Sequence, residues 1–227
     1  MTKFNGEWDR KRLTTPRAAA IAGILFGLLF SVSLVLMRTA FPEIISNDTS
    51  WVTVASSQIR LALILMPFAG ISYLWFIGVV RDRLGDFEDR FFSSVFYGSS
   101  LLFLGMVFVS MAIASGILTT YSMITWKTPD DTVIFFSRAM MLHINNVYAL
   151  RMAGVTMMSL STIWMRTGLM PRWLAIVTFS LALALLLVIN YSLWITLVFP
   201  GWVFGISLFI LWTRLRQPDG QLVVPHQ

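Results

Sequence analysis

Apolar residues run through this chain in blocks about as long as a bilayer is thick, and the charges are confined to the seams between blocks. Residues 18–37 form twenty positions without a charge between Arg17 and Arg38, and 61–80 form another twenty between Arg60 and Arg81. Twenty helical residues rise about 30 Å, the depth of a membrane's hydrocarbon core. The stretches 91–126 and 173–213 are equally free of charge, and the second is long enough for two crossings. The pattern predicts an all-α, polytopic membrane protein of six transmembrane helices, at about 17–37, 58–80, 94–119, 144–165, 172–189 and 193–213. They form one membrane domain over 17–213, with tails at 1–16 and 214–227.

Local signals place the ends of these helices. Thr14-Thr15-Pro16 precedes the first block, with Pro16 in a first turn where its missing N–H costs nothing. Thr128-Pro129-Asp130-Asp131 is a second start signal, with acids where the helix dipole favours them. The helix it opens has no stop before Arg166, which at about 1.5 Å per residue exceeds 50 Å, too long for one crossing. It is therefore expected to divide, with 133–142 along the outer interface, projecting above it or re-entering, and 144–165 crossing. Pro171 opens the fifth span, and Asn190-Tyr191-Ser192 is the one plausible turn before the sixth. Pro200-Gly201 predicts a bend within that last span.

Charge sets the orientation. The amino-terminal tail, the 81–90 and 166–172 loops and the carboxyl tail carry twelve Lys and Arg, the opposite side four. By the positive-inside rule both termini face the cytoplasm. Trp51, Trp126 and Trp194 then mark the outer interface, and Trp75, Trp164, Trp173 and Trp212 the inner one. The first apolar block exceeds a signal-peptide core and lacks a small-residue cleavage site, so it reads as a retained span.

Composition narrows the chemistry. Hydrophobic residues make up 57% and charged residues 12%, about half the charge of a soluble protein. The net charge of +6 sits at the ends of apolar blocks, which argues for membrane orientation and against a nucleic-acid partner. The chain has no cysteine, which excludes disulfides, thiolate metal sites and iron–sulfur clusters. No His-Glu-x-x-His, no pair of intramembrane aspartates and no GxSxG elbow occurs, so no catalytic residue, metal ligand or cofactor is assigned and an enzyme is not the expected class.

One residue stands out within the spans. Arg151 lies fifteen positions before Arg166, about 22 Å along the helix and inside the outer half of the hydrocarbon. An arginine there costs roughly 2.5–3.5 kcal/mol and usually faces protein or water. None of the eleven Asp and Glu lies in a span, so its expected partners are carbonyls, an anion, lipid phosphate or an outer acid such as Glu43, Asp48, Asp130 or Asp131. Arg138, His143, Asn145 and Asn146 lie nearby in sequence. With Arg151 they make a candidate outward-facing pocket for an anionic or headgroup-like ligand, against the simpler alternative of an interfacial segment with Arg151 snorkelling upward.

Small residues recur at four-residue spacing, Ala19, Gly23 and Gly27 on the first span and Gly201 and Gly205 on the last. Such faces let helices approach closely, either within the monomer or in a homo-oligomer.

Two stretches carry a resemblance. Trp75-Phe76-Ile77-Gly78-Val79-Val80-Arg81-Asp82-Arg83-Leu84-Gly85 and Gly168-Leu169-Met170-Pro171-Arg172-Trp173-Leu174 are similar to segments of small multi-span bacterial membrane proteins of domain-of-unknown-function families, common in actinobacteria. The resemblance implies a bacterial plasma membrane and assigns no functional residue. The expected function is that of a non-enzymatic accessory or assembly component contacting the lipid bilayer and partner membrane proteins. The alternative is a small transporter or binder of an anionic or amphipathic solute near Arg151.

Overall fold

The structure, a computed structural model, describes residues 16–40, 51–84, 90–123, 131–187 and 193–215. Residues 1–15 and 216–227, the turn expected at 190–192, and Glu43, Asp48, Trp126 and Asp130 lie outside the described residues. Among those described, only 168–171 are not helical and there is no strand.

The helices are α1 (Pro16–Ala40), α2 (Trp51–Leu84), α3 (Arg90–Met123), α4 (Asp131–His143), α5 (Leu150–Thr167), α6 (Arg172–Leu187) and α7 (Val198–Leu215). A π-helical turn, Ile144–Ala149, joins α4 to α5, and a 3₁₀ segment, Leu193–Leu197, leads into α7. α2 and α3 have 34 residues each, about 51 Å, so both outrun the hydrocarbon. Chain direction through α4, the π turn and α5 is helical throughout, with right-handed dihedrals at both junctions. The long helix is thus divided in hydrogen bonding, without a loop. α5 ends at Gly168, whose φ of 67° lets its N–H cap the Trp164 carbonyl at 3.0 Å. Pro171 starts α6 by accepting from the Leu174 and Ala175 N–H groups.

Among the described residues, four helices contain stretches long and apolar enough to cross a membrane: Ala18–Ala40, Ala55–Asp82, Phe91–Thr120 and Ile195–Thr213. α6 is apolar but shorter, at 16 residues. α5 is not apolar enough by composition, and the fold explains why. Ten of its eighteen residues are buried, Thr156, Ser159 and Ser161 among them, so these three hydroxyls face protein.

Packing runs α7–α1–α2–α3–α5–α6. The circuit closes where Trp202 of α7 donates its indole N–H to Thr178 of α6 at 3.0 Å and its ring lies 6.3 Å from Trp164 of α5. The axis is filled with aromatic rings from four helices. Tyr73 of α2 lies 4.6 Å from Phe26 of α1, 5.6 Å from Phe103 of α3 and 5.9 Å from Phe199 of α7. The contacts with Phe103 and Phe199 are edge-on, and aromatic pairs of this kind add about 0.5–1.5 kcal/mol each beyond burial. Trp164, expected in the interfacial belt, is buried, while Trp75, Trp173 and Trp212 are exposed.

Glycines set the closest approaches. A Cβ on Gly23 would collide with Ser207 Oγ, and one on Gly27 would meet Phe204 Cβ at 2.7 Å and the Pro200 carbonyl at 3.0 Å. Ala19 is buried on the same helix. The α1 small-residue face is thus used inside the chain, against α7. Gly201 and Gly205 are exposed with open space around them.

Candidate functional site

Two polar features stand out in this apolar bundle: a hydroxyl cluster where α2, α3 and α5 meet, and the π turn above Arg151.

The cluster begins with Ser99 and Ser100, adjacent on α3 and both buried. Each bonds back to its own helix, Ser99 Oγ to the Val95 carbonyl at 2.7 Å and Ser100 Oγ to that of Phe96 at 2.7 Å. Thr156 of α5 does the same to Met152 at 2.9 Å. Across the helices Ser99 Oγ lies 2.9 Å from Thr156 Oγ1, and Ser100 Oγ donates to the same oxygen at 3.4 Å. The three protons are in demand from backbone carbonyls, so lone pairs dominate the centre of the group. Tyr73, with no exposed surface, points its hydroxyl at Ser100 and Thr156 without meeting either in full hydrogen-bond geometry. Interhelical hydroxyl contacts of this kind are worth about 0.6–2 kcal/mol in a membrane.

Two further hydroxyls tie neighbouring helices by their backbones. Ser161 Oγ donates to the Ala175 carbonyl of α6 at 2.7 Å, and Ser110 Oγ to the Met141 carbonyl of α4 at 3.1 Å. The second anchors α4 to α3 just before the π turn.

Within that turn the Leu150 N–H reaches back five residues to the Asn145 carbonyl. A π turn fits one extra residue into the helix and widens it. Arg151 Nη1 donates to the Val147 carbonyl at 3.1 Å, so the guanidinium turns towards the helix start, the direction helical side chains favour. It is partly exposed. Asn145 Nδ2 meets Asn146 Oδ1 at 3.5 Å, both half-buried, while His143 is exposed and its Nδ1 lies 3.2 Å from the Ala139 carbonyl. Arg138 is buried on α4, where desolvation lowers its pKa from the ordinary arginine value; the guanidinium keeps its charge regardless. Of the five expected pocket residues, Asn145 and Asn146 meet through side chains, and Arg151 is held on the same turn by a main-chain oxygen.

Pro200 falls in the first turn of α7, directly after the 3₁₀ segment, and Gly201 follows it on the exposed side. The proline inside a helix is Pro67, midway along α2, where it removes the bond that residue 67 would make to the Leu63 carbonyl.

Sequence reading missed the Tyr73–Ser99–Ser100–Thr156 group. Its signal was present in the Ser99-Ser100 pair inside an otherwise apolar block, and in the hydroxyls at 156, 159, 161 and 162 along a single span.

Compared with protein families, curated proteins and solved structures, the chain matches none. The resemblance of stretches 75–85 and 168–174 to bacterial membrane proteins therefore stays an expectation.

Proposed function

We propose that this protein is a six-span, non-enzymatic component of a bacterial plasma membrane, with both termini cytoplasmic, acting as an accessory or assembly subunit through lipid and partner-helix contacts. The observation that carries this reading is the filled axis: the rings of Phe26, Tyr73, Phe103 and Phe199 occupy the place where a solute path would run. α5 counts as a span in this reading because Thr156 and Ser161 are covered by α3 and α6, and α6 because its neighbours complete the crossing.

The natural absence of cysteine makes the test direct. Single cysteines at 100, 156 and 151 are placed in intact membranes and treated with a membrane-impermeant maleimide. Protection at 100 and 156 is expected from both sides. Labelling at either position means an aqueous path through the bundle, and the accessory reading fails.

A second reading has one observation in its favour. Arg151, partly exposed, donates to the Val147 carbonyl of the π turn at 3.1 Å, an arrangement compatible with a binder of an anionic or amphipathic solute. Labelling of 151 from outside, with 100 and 156 protected, favours this reading.

A further inference from the structure

Contacts between helices give Arg151 a depth. Ser110 of α3 donates to the Met141 carbonyl of α4, and Ser99 of α3 meets Thr156 of α5, so the two chains of helix run antiparallel in a fixed register. Interpolation between these contacts puts Val147 about level with Met106 of α3. On either side of that level, Leu104 and Phe108 lie against Gly70 of α2. α2 carries exposed arginines at 60 and 81 with no charge between them. Gly70 is ten residues from the first and eleven from the second, about 15 and 16 Å. Val147 is therefore at mid depth, and with it the guanidinium of Arg151, which donates to its carbonyl at 3.1 Å. This is deeper than the count from Arg166 alone implies. The exposed side chains of Val133, Phe136 and Met140 agree, since hydrocarbon that reaches α4 covers an apolar face that water would not.

An arginine at that depth has few partners within reach. About 15 Å is more than its side chain can span, so snorkelling does not bring the charge to a headgroup. The Val147 bond uses one of its five N–H groups, and among the described residues Arg151 makes no other hydrogen bond or ion pair. Open polar groups surround it. Asn146 lies five positions back, the spacing a π turn brings together, and its 3.5 Å contact with Asn145 is the one side-chain bond of either amide. Tyr148 is 55% exposed. The axis of the bundle is filled with rings, so these groups open on its outside. The fitting counter-charge is a carboxylate, and no second copy of this chain brings one from its own spans: none of the eleven Asp and Glu falls within 18–37, 61–80, 91–126, 132–165 or 173–213.

We propose that this face of the π turn and α5 docks a transmembrane helix of a different protein, whose Asp or Glu at mid depth pairs with Arg151 while Asn145, Asn146 and Tyr148 bond around the pair. This rests on the accessory reading and names its partner's chemistry.

The test uses the full chain in phosphatidylcholine vesicles with a Leu-Ala helix of about 21 residues. The probe helix carries Glu, Gln, Lys or Leu at its centre, or Glu near one end, and energy transfer between fluorophores on probe and protein reads association. The central-Glu helix is expected to bind the wild type about tenfold more tightly than any of the others. R151Q loses that preference, and R151E transfers it to the central-Lys helix. Four results overturn the proposal: all probes binding the wild type alike, R151Q keeping the preference for central Glu, a wild-type oligomer that R151Q disperses, which gives the face to a second copy, or maleimide labelling of a cysteine at 151, which gives it to water. The wild-type series needs no variant to fold. Labelling at 100 and 156 is scored without a probe helix and probe preference without a label, so failure of the accessory reading and failure of this pairing are told apart.

Discussion

Ser99 Oγ of α3 and Thr156 Oγ1 of α5 lie 2.9 Å apart in the interior of the bundle. Ser100 Oγ donates to the same oxygen at 3.4 Å and the Tyr73 hydroxyl points towards it, which makes Thr156 the oxygen on which the group converges. Thr156→Val keeps the shape and deletes that acceptor. It is expected to lower stability by about 1–2 kcal/mol, read as a loss of Tm in nanodiscs. An unchanged Tm would show that the serines are satisfied by their own carbonyls alone.

Tyr73 separates ring from hydroxyl. Its oxygen is buried without a well-formed bond, so Tyr73→Phe is expected to change stability by less than about 0.5 kcal/mol, or to increase it. Tyr73→Leu removes the ring from its contacts with Phe26, Phe103 and Phe199 and is expected to cost about 2–4 kcal/mol. Equal losses in the two variants would place the hydroxyl, not the ring, at the centre of the packing.

The two small-residue faces should respond differently. Gly27→Leu drives a side chain into Phe204 and the Pro200 carbonyl and is expected to destabilise the monomer by about 3 kcal/mol or more. Gly205→Leu enters open space and is expected to leave Tm unchanged. A change in oligomer size on blue-native gels with Gly205→Leu alone would assign that face to a partner copy.

Removing one residue from the π turn tests its role as a register device. Deleting Asn146 restores ordinary helical bonding and rotates α4 by about 100° relative to α5. That carries Met141 away from Ser110 and Arg138 off its buried face. The deletion is expected to lower Tm and to make a cysteine at 134, now fully buried, reactive to maleimide. A deletion variant as stable as wild type would make the turn incidental.

Much of this arrangement was legible in the sequence, and the limits have physical causes. Charge spacing located α1, α2 and α3, since the cost of a charge in hydrocarbon leaves a clear mark at each helix end, and it marked the far end of α7, whose start rested on the turn expected at 190–192. The start of α6 at Pro171 was equally plain. The π turn left no mark, because Ile144 to Ala149 has the same propensities whether bonds run to i−4 or i−5. Trp164 was expected among interfacial tryptophans because sequence gives depth along a helix but not the direction a side chain faces. The hydroxyl group needed three helices to come together before its members could be recognised as neighbours. Pro67 passed unnoticed for a related reason: an apolar block around a proline looks unbroken, and α2 does continue through it.

α5 has a further consequence, for biogenesis. In the six-span reading Ser161 meets its partner on α6, and Thr156 its contacts with Ser99 and Ser100, only once those helices lie alongside, so lipid alone offers this helix little reason to stay in the bilayer. α1, α2 and α3 can enter one by one as each leaves the insertion machinery, whereas α5 is retained by helices already in place and by the one that follows. Damage to that interface, at Gly154 against Leu186 or at Ser161 against Ala175, then acts first on topology and quality control, before any property of the finished protein.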